Sequence, residues 1–353
     1  MEHHHHLHHD NAAAITINDV AQAAGVSVRT ASRVLNQSPK VNADTRARVQ
    51  EVIRSLNFIP NLRARALASN RSFMLGFVHD DPNAEIADQM QKGIFTECAQ
   101  FGYELLVHPA DHKSPHLVDD VMGFVRRSGV DGLIVIAPIS ENPALANALA
   151  AHGVPVVAVN SVALDFQPNK IVAREREACG EIAKHFIELG HTEIGVISGP
   201  LVQTAARERQ IGFNAALDAA GITMRPENFF EGDWTFESGL ACARKLLASP
   251  HRPTAVYAGN DRMAAALIKV AIQSGLKVPE DLSVVGFDDS YLARVLTPAL
   301  TTITRPFVQI GEGAAHWLLT SSRISKGEDH EALMRFYDLR LTKRESTAPP
   351  PRR

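Results

Sequence analysis

The sequence predicts an all-α unit of three short helices near the N-terminus, followed by a larger α/β body built from two open parallel-sheet subdomains. Three observations carry this. Between residues 16 and 61 the apolar positions recur at the i, i+3, i+4 spacing of helices. From residue 72 onward, short β-rich apolar runs alternate with amphipathic helical stretches, the pattern of parallel strands covered by helices. Charge is also uneven. Residues 16–71 hold nine Lys or Arg against three Asp or Glu, a net of +6 in a chain whose net charge is −3, so the remainder sums to −9. A basic unit on an acidic body directs a polyanion to one end of the molecule.

The chain begins with MEHHHHLHHDN, in which six histidines could bind a divalent metal through imidazole nitrogens. An interrupted run at a terminus reads instead as a disordered extension over 1–14, and no metal site is assigned to it. Thr16, followed three residues later by Asp19, marks a capped helix start, and Ile17, Val20, Ala21 and Ala24 form its apolar stripe. Gly25 breaks that helix. Ser27 then caps a second helix reading SVRTASRVLN, with Ala31, Val34 and Leu35 on one face and Arg29, Ser32, Arg33 and Asn36 on the other. No acidic residue interrupts the polar face. Its guanidinium, hydroxyl and amide groups are those that bond phosphates and base edges.

Two short helices joined by a Gly-containing turn make a helix-turn-helix pattern, in which the second helix enters the major groove of DNA. Arg29 and Arg33 are then expected on bases, Thr30, Ser32 and Asn36 mainly on phosphates, and Val28 on a thymine methyl. Thr16, Ser27 and Asn42, at the helix starts, complete the candidate DNA-binding set of this unit. After a loop containing Pro39, Asn42 caps a third helix to about residue 56, closed on the others by Val49, Val52, Ile53 and Leu56. Pro60 ends the unit. The LRARALA stretch that follows is too short and too basic to be a stable helix alone.

In the body, strands are expected at 73–78, 104–108, 132–136, 154–159, 194–198, 255–258 and 283–287, with helices at 86–101, 178–189, 205–219, 236–248 and 263–274. Seven or more strands exceed one compact sheet of this type. Two subdomains are expected, with crossovers near 160–171 and 297–306. Ligands of such sheets meet loops at the carboxyl ends of strands. No GxGxxG follows a strand, and neither a GKS/GKT phosphate loop nor a GxSxG elbow is present, so nothing in the motifs suggests an enzyme. Cys98, Cys179 and Cys242 lie far apart with no CxxC pair and read as buried small hydrophobes. No run of signal-peptide or membrane-spanning length is found, so a soluble cytoplasmic protein is expected.

The run TINDVAQAAGVSVRTASRVLNQSPKVNADTRARVQEVIRSLNFIPN, followed by LRARALASNRS, resembles the DNA-binding headpiece and hinge of the lactose repressor/galactose repressor (LacI/GalR) family. The composite of AxxAGVS, TxSRVLN, VNxxTRxRV, NFIPN and RAL is far more specific than a bare helix-turn-helix pattern. The resemblance implies a headpiece over 15–60, a hinge helix and linker over 61–71, a periplasmic-binding-protein-like effector and dimerisation core over 72–344, and a tail over 345–353. In the hinge it implies Leu67 as an apolar wedge at the central minor-groove step, with Arg63 and Arg65 near phosphates.

For the cleft, family matching places an effector-binding arginine at Arg209 in ISGPLVQTAARER, and Asn260 and Asp288 facing the ligand after their strands, with Asp261 and Asp289 as helix caps. Trp234 matches a position where a ring stacks on the ligand in some relatives, a core tryptophan being the other reading. His79, Asp80 and Asn83 are candidates for a polar wall, Asn160 closes a strand at the same cleft, and Phe307 completes the set. Arg174 stands where relatives commonly carry acidic or amide residues. It could admit an acidic ligand or pair with Glu175 or Glu177, and pairing is the favoured reading.

The expected function is that of a sequence-specific transcriptional repressor of carbohydrate-utilisation genes, binding a pseudo-palindromic double-stranded operator as a homodimer and controlled by a sugar-like effector, with no cofactor, catalytic role or membrane partner. A corepressor-dependent regulator with a non-sugar or acidic effector is the alternative, and a solute-binding protein shares only the body. The tail ESTAPPPRR lacks heptad leucines, which argues against a tetramerising helix.

Overall fold

A computed structural model describes residues 15–35, 38, 40–58, 71–80, 85–324 and 332–352. The chain divides into two compact units, 1–73 and 74–353. In the first unit α1 (Ile17–Ala23), α2 (Val28–Leu35) and α3 (Ala43–Ser55) follow the expected spacing. Thr16 and Asp19 form a reciprocal capping box. Ser27 Oγ accepts from the Thr30 amide at 3.2 Å, and Asn42 Oδ1 accepts from Thr45 N at 2.8 Å. Val20, Ala21, Ala24, Ala31, Val34, Val49 and Phe58 make the buried centre. So few apolar residues give a small core. Burying the stripes of all three helices together is what holds elements too short to persist alone.

The second unit contains two open parallel sheets. The first is ordered β11-β5-β4-β3-β1-β2, from β1 (Met74–His79), β2 (Glu104–Pro109), β3 (Gly132–Ile136), β4 (Val156–Asn160), β5 (Lys170–Ala173) and β11 (Met334–Tyr337). The second is ordered β7-β6-β8-β9, from β6 (Ile194–Ser198), β7 (Phe229–Glu231), β8 (Ala255–Ala258) and β9 (Ser283–Val285). A separate antiparallel pair joins β10 (Thr302–Thr304) to β12 (Arg340–Thr342).

Helices cover the sheets. The first lobe uses α4 (Glu85–Phe101), α5 (Leu117–Ser128), α6 (Pro143–His152) and α12 (Phe307–Ile324). The second uses α7 (Glu175–Glu188), α8 (Thr204–Ala219), α9 (Phe236–Leu247), α10 (Asp261–Gln273) and the short α11 (Tyr291–Val295). The α4 and α12 backbones approach so closely that a Cβ on Gly93 would strike the Val308 carbonyl and one on Gly311 the Met90 carbonyl.

The crossovers correct the sequence expectation. Lys170–Ala173 pairs in parallel with β4, so 160–171 is a connection within the first sheet, and the chain leaves that lobe only after Ala173. It returns between Thr304 and Phe307, inside the expected window, because β10 pairs with β12 while α12 packs on α4. A third passage, between Tyr337 and Arg340, was not anticipated. It lets Met334–Tyr337 complete the first sheet beside β5. Residues 345–350 do not trail away but lie against the second lobe, where Ser346 Oγ donates to the Val284 carbonyl at 2.6 Å and Ser283 Oγ to the Ala348 carbonyl at 2.9 Å.

Among the described residues no helix is long and apolar enough to cross a membrane. Cys98, Cys179 and Cys242 are buried free thiols.

Candidate functional site

On the headpiece, α2 turns Ala31 and Val34 into the core and leaves Arg29 exposed and Ser32 and Arg33 half-buried. Val28 stays 44% exposed although its side chain is apolar. Among the described residues Arg29 and Arg33 make no ion pair, whereas Arg46 is tied to the Ser38 carbonyl at 2.6 Å. The face is therefore cationic and available. The assignments to Asn36, Arg63, Arg65 and Leu67 lie outside the described residues.

In the second unit a cleft of about 400 Å³ opens at the carboxyl ends of both sheets, where strand ends and helix starts bring loop side chains together. Asp80 follows β1, Asn160 ends β4, Trp234 follows β7, Asn260 follows β8, and Asp288 lies beyond β9. All of these line it, with Arg209 from α8 and Phe307 from α12.

The centre of the cleft is a buried ion network. Arg209 Nε meets Glu175 Oε2 at 2.7 Å with side chains only 6% and 1% exposed, and its Nη1 donates to the Gly259 carbonyl at 2.6 Å. The same guanidinium lies 3.6 Å from the Phe287 ring centroid and 5.2 Å from that of Trp234. Arg305, on the second crossover strand, reaches Glu175 Oε1 at 2.9 Å and Asp288 Oδ1 at 3.3 Å.

Burial pushes the Glu175 carboxyl up, but Arg209 and Arg305 outweigh it and hold it below the ordinary carboxylate value. For Asp288 burial prevails and the carboxyl is raised, the two arginines offsetting only part of it. Asp261 is pushed up to about 7, by burial first and by the neighbouring Asp288 second.

Several sequence expectations are revised here. Asn260, not Asp261, caps α10: its Oδ1 accepts from Met263 N and its Nδ2 donates to the Trp234 carbonyl, both at 2.9 Å. Asp261 is buried at the cleft wall, accepting from Ser290 N at 2.7 Å and Thr302 Oγ1 at 2.6 Å. Asp289 also caps nothing, since it accepts from Arg344 at 2.6 Å and Thr304 Oγ1 at 2.8 Å.

Arg174 lies outside the cleft. It pairs with Asp338 at 3.2 Å and stacks 5.0 Å over Phe336, so it joins the first crossover to the third, and its partner is neither Glu175 nor Glu177. His79 is 4% exposed at the end of β1 beside Phe77, behind the cleft wall and not in it. Asn83 lies outside the described residues.

Asn160 does line the cleft. Its amide is also built into a buried network, accepting from Ser140 Oγ at 2.5 Å and donating to Gln167. Trp234 takes both readings at once: it lines the cleft, donates to Gln203 Oε1 at 2.7 Å, and packs so tightly on Gly199 that a Cβ there would enter the indole. Glu175, Arg305, Glu141 and Ser290 were not singled out as ligand residues from the sequence. The signal for Arg305 was its position at the expected crossover before Pro306, and for Glu175 its place beside the anomalous Arg174. Among the described residues, Asp80, Asp111 and His112 could hold a metal ion, with one ligand atom each within 4.8 Å of the others. Here Asp80 Oδ2 instead accepts from the His112 ring and, at 2.9 Å, from its amide.

A headpiece with an exposed basic second helix, carried on the same chain as a two-lobed body with a polar cleft at its strand ends, defines a ligand-responsive DNA-binding regulator. The family model described as bacterial regulatory proteins, lacI family, matches residues 16–61, and that of the periplasmic binding protein-like domain matches 183–347. The chain is 31% identical over 336 residues to the HTH-type transcriptional regulator DegA of Bacillus subtilis (strain 168), covering 95% of this chain and 98% of that one. Among solved structures it is similar to the lac repressor dimer bound to operator and the anti-inducer ONPF, at 30% identity and a TM-score of 0.74, covering 95% of this chain and 99% of that one. It is also similar to the complex of the transcriptional regulator CelR with cellobiose, at 29% identity and a TM-score of 0.70, covering 94% and 99%. The chain belongs to the LacI family of bacterial transcriptional regulators.

Proposed function

We propose that this LacI-family regulator is a homodimeric repressor of carbohydrate-utilisation genes that binds a pseudo-palindromic operator and responds to a small sugar-like effector in its cleft. The observation that carries the proposal is the cleft itself. It is sized for a mono- or disaccharide, and its guanidinium and carboxylate groups are fixed by one another before any ligand arrives, so little ordering cost attends binding. Relatives point the same way: one is described with cellobiose and another as a dimer on its operator.

On DNA, Arg29 and Arg33 read base edges in the major groove, Val28 touches a thymine methyl, and Thr30, Ser32 and Asn36 hold phosphates, with Thr16, Ser27 and Asn42 at the helix starts beside the backbone. Leu67 is the apolar wedge at the central minor-groove step, with Arg63 and Arg65 near phosphates. In the cleft Arg209, Asp288, Asn260, Asn160 and Asp80 supply polar contacts and Trp234 and Phe307 apolar ones. The protein works in the cytoplasm, without catalysis or cofactor. Effector binding favours one relation of the two lobes and, through the hinge, changes operator affinity by its differential affinity for two states.

The test is retention on duplex DNA as salt is raised. The logarithm of the binding constant should fall linearly with that of salt, by about 0.9 per phosphate neutralised. Retention insensitive to salt, or to every sugar that raises the melting temperature, contradicts the proposal.

A further inference from the structure

Eight carboxylates line the cleft against four arginine or lysine side chains. Three of those cations are already engaged, Arg209 and Arg305 in the central network and Arg262 with Glu85 at 3.0 Å. Most of the acids have protein donors too. Glu141 differs. It sits on the 3-10 turn after β3, and its Oε2 accepts from Thr204 Oγ1 of the second lobe at 2.8 Å, while its Oε1 is buried with no hydrogen-bond partner. Burial raises its carboxyl above the ordinary value. Besides Glu175 Oε1, which Arg305 Nη2 faces as an ion pair at 2.9 Å, two other polar atoms of the lining have no hydrogen-bond partner: the hydroxyl of Ser290, a residue only 2% exposed, and Nε of Arg305.

Buried polar groups need partners, and these three make different demands. Arg305 Nε requires an acceptor, Glu141 Oε1 a donor, and Ser290 takes either. A polyhydroxylated ligand meets all three, since each hydroxyl both donates and accepts. A carboxylate set against these atoms satisfies Arg305 and Ser290 but has no proton to donate to Glu141, and it adds a negative charge to an acidic cleft.

We propose that Glu141 is a specificity-determining residue of this cleft, accepting a hydrogen bond from a hydroxyl or ammonium group of the ligand and excluding ligands that carry an acidic group. The proposal rests on the effector reading of the cleft given above. Discrimination here comes from a repulsive element as much as from an attractive one.

The experiment uses the full chain and matched series in which one group changes: glucose, glucosamine and glucuronate; galactose, galactosamine and galacturonate; cellobiose and cellobiuronate. Each is followed by thermal shift and by calorimetric titration, on the wild type and on Glu141→Gln. Gln keeps the shape and adds a donor. In the wild type every acid should bind at least about tenfold more weakly than its neutral parent, the cost of one buried group left unpaired, and in Glu141→Gln that gap should narrow. An acid that binds the wild type as well as its parent overturns the proposal, as does a gap unchanged in a Glu141→Gln protein of wild-type melting temperature. If no sugar of any series binds, the effector reading itself fails and the proposal with it.

Discussion

Arg209, proposed as an effector ligand, is at the scale of a single residue also a structural group. Its guanidinium is nearly sealed from solvent by Glu175, the Gly259 carbonyl and the Phe287 ring. Removing it leaves Glu175 short of one of its two cations. Arg209→Ala is therefore expected to abolish ligand-induced thermal stabilisation and also to destabilise the core by about 3–5 kcal/mol in urea unfolding. Stability unchanged within error would contradict the network described here. The sequence exposed the arginine through its motif, but it could not expose the network, because Glu175, Arg305 and Asp288 are separated by 113 and 130 residues and meet only through the crossovers.

Asp261 gives a second expectation at this scale. Its folded-state pKa of about 7 lies above the ordinary carboxylate value of 3.8. The protonated form is thus favoured by folding. That contribution is present below about pH 4 and is lost as pH rises toward 7, with a slope of up to about 1.4 kcal/mol per pH unit. Asp261→Asn should flatten this component of the urea midpoint between about pH 4 and 7. A slope identical to wild type would remove Asp261 from the account. The residue was assigned to capping from sequence because Asn and Asp after a strand read alike; the structure gives the cap to Asn260, and the pairing of Asp261 with Ser290 and Thr302 depends on a distant segment.

At the scale of the element, the helices were the most legible part of the chain. Helix α2 appears as Val28–Leu35 with its apolar face on the headpiece core because its spacing leaves no alternative face to bury. Arg33→Ala should weaken specific DNA binding by about 1–3 kcal/mol while leaving ligand-induced stabilisation intact, as anisotropy and thermal shift would report. Equal loss of both would argue against two modules.

Short strands were less legible. Phe229–Glu231, Thr302–Thr304, Met334–Tyr337 and Arg340–Thr342 have three or four residues each, and three of them include an exposed charged side chain. Runs so short carry no period, and their pairing is decided by the crossovers. The C-terminal segment was illegible for a similar reason. Its proline-rich composition gives no hint that His185 Nε2 lies 3.0 Å from Thr347 Oγ1 and His191 Nε2 2.9 Å from the Ala348 carbonyl. Burial lowers both histidines, with Lys343 adding to the effect at His185. A group depressed on folding stabilises above its unfolded value and loses that contribution as pH falls. Amide exchange in 345–348 should therefore accelerate as pH is lowered below about 6.5, after correction for intrinsic rates. Corrected exchange that stays flat would detach the tail from these histidines.

At the scale of the whole molecule, the division into a basic headpiece and an acidic body was visible in the charge count and in the change of period near residue 72. The two lobes were also visible, because seven apolar runs were too many for one sheet. The path between them was visible only at the return near 305–306; the first crossover follows Ala173 and is braced by Arg174 and Asp338, two exposed charges 164 residues apart, and the third follows Tyr337. Arg174 thus belongs to the connection between lobes and not to the lining of the cleft.

The central claim is that one chain couples operator affinity to occupancy of the cleft. It is tested most directly by selecting an operator from a random duplex pool with the full chain, then titrating that duplex by fluorescence anisotropy with and without a sugar that raises the melting temperature. The account predicts a pseudo-palindromic selected sequence and an operator affinity that changes at least about fivefold on ligand addition, a change absent in Arg209→Lys. An affinity indifferent to a ligand that demonstrably occupies the cleft would contradict it.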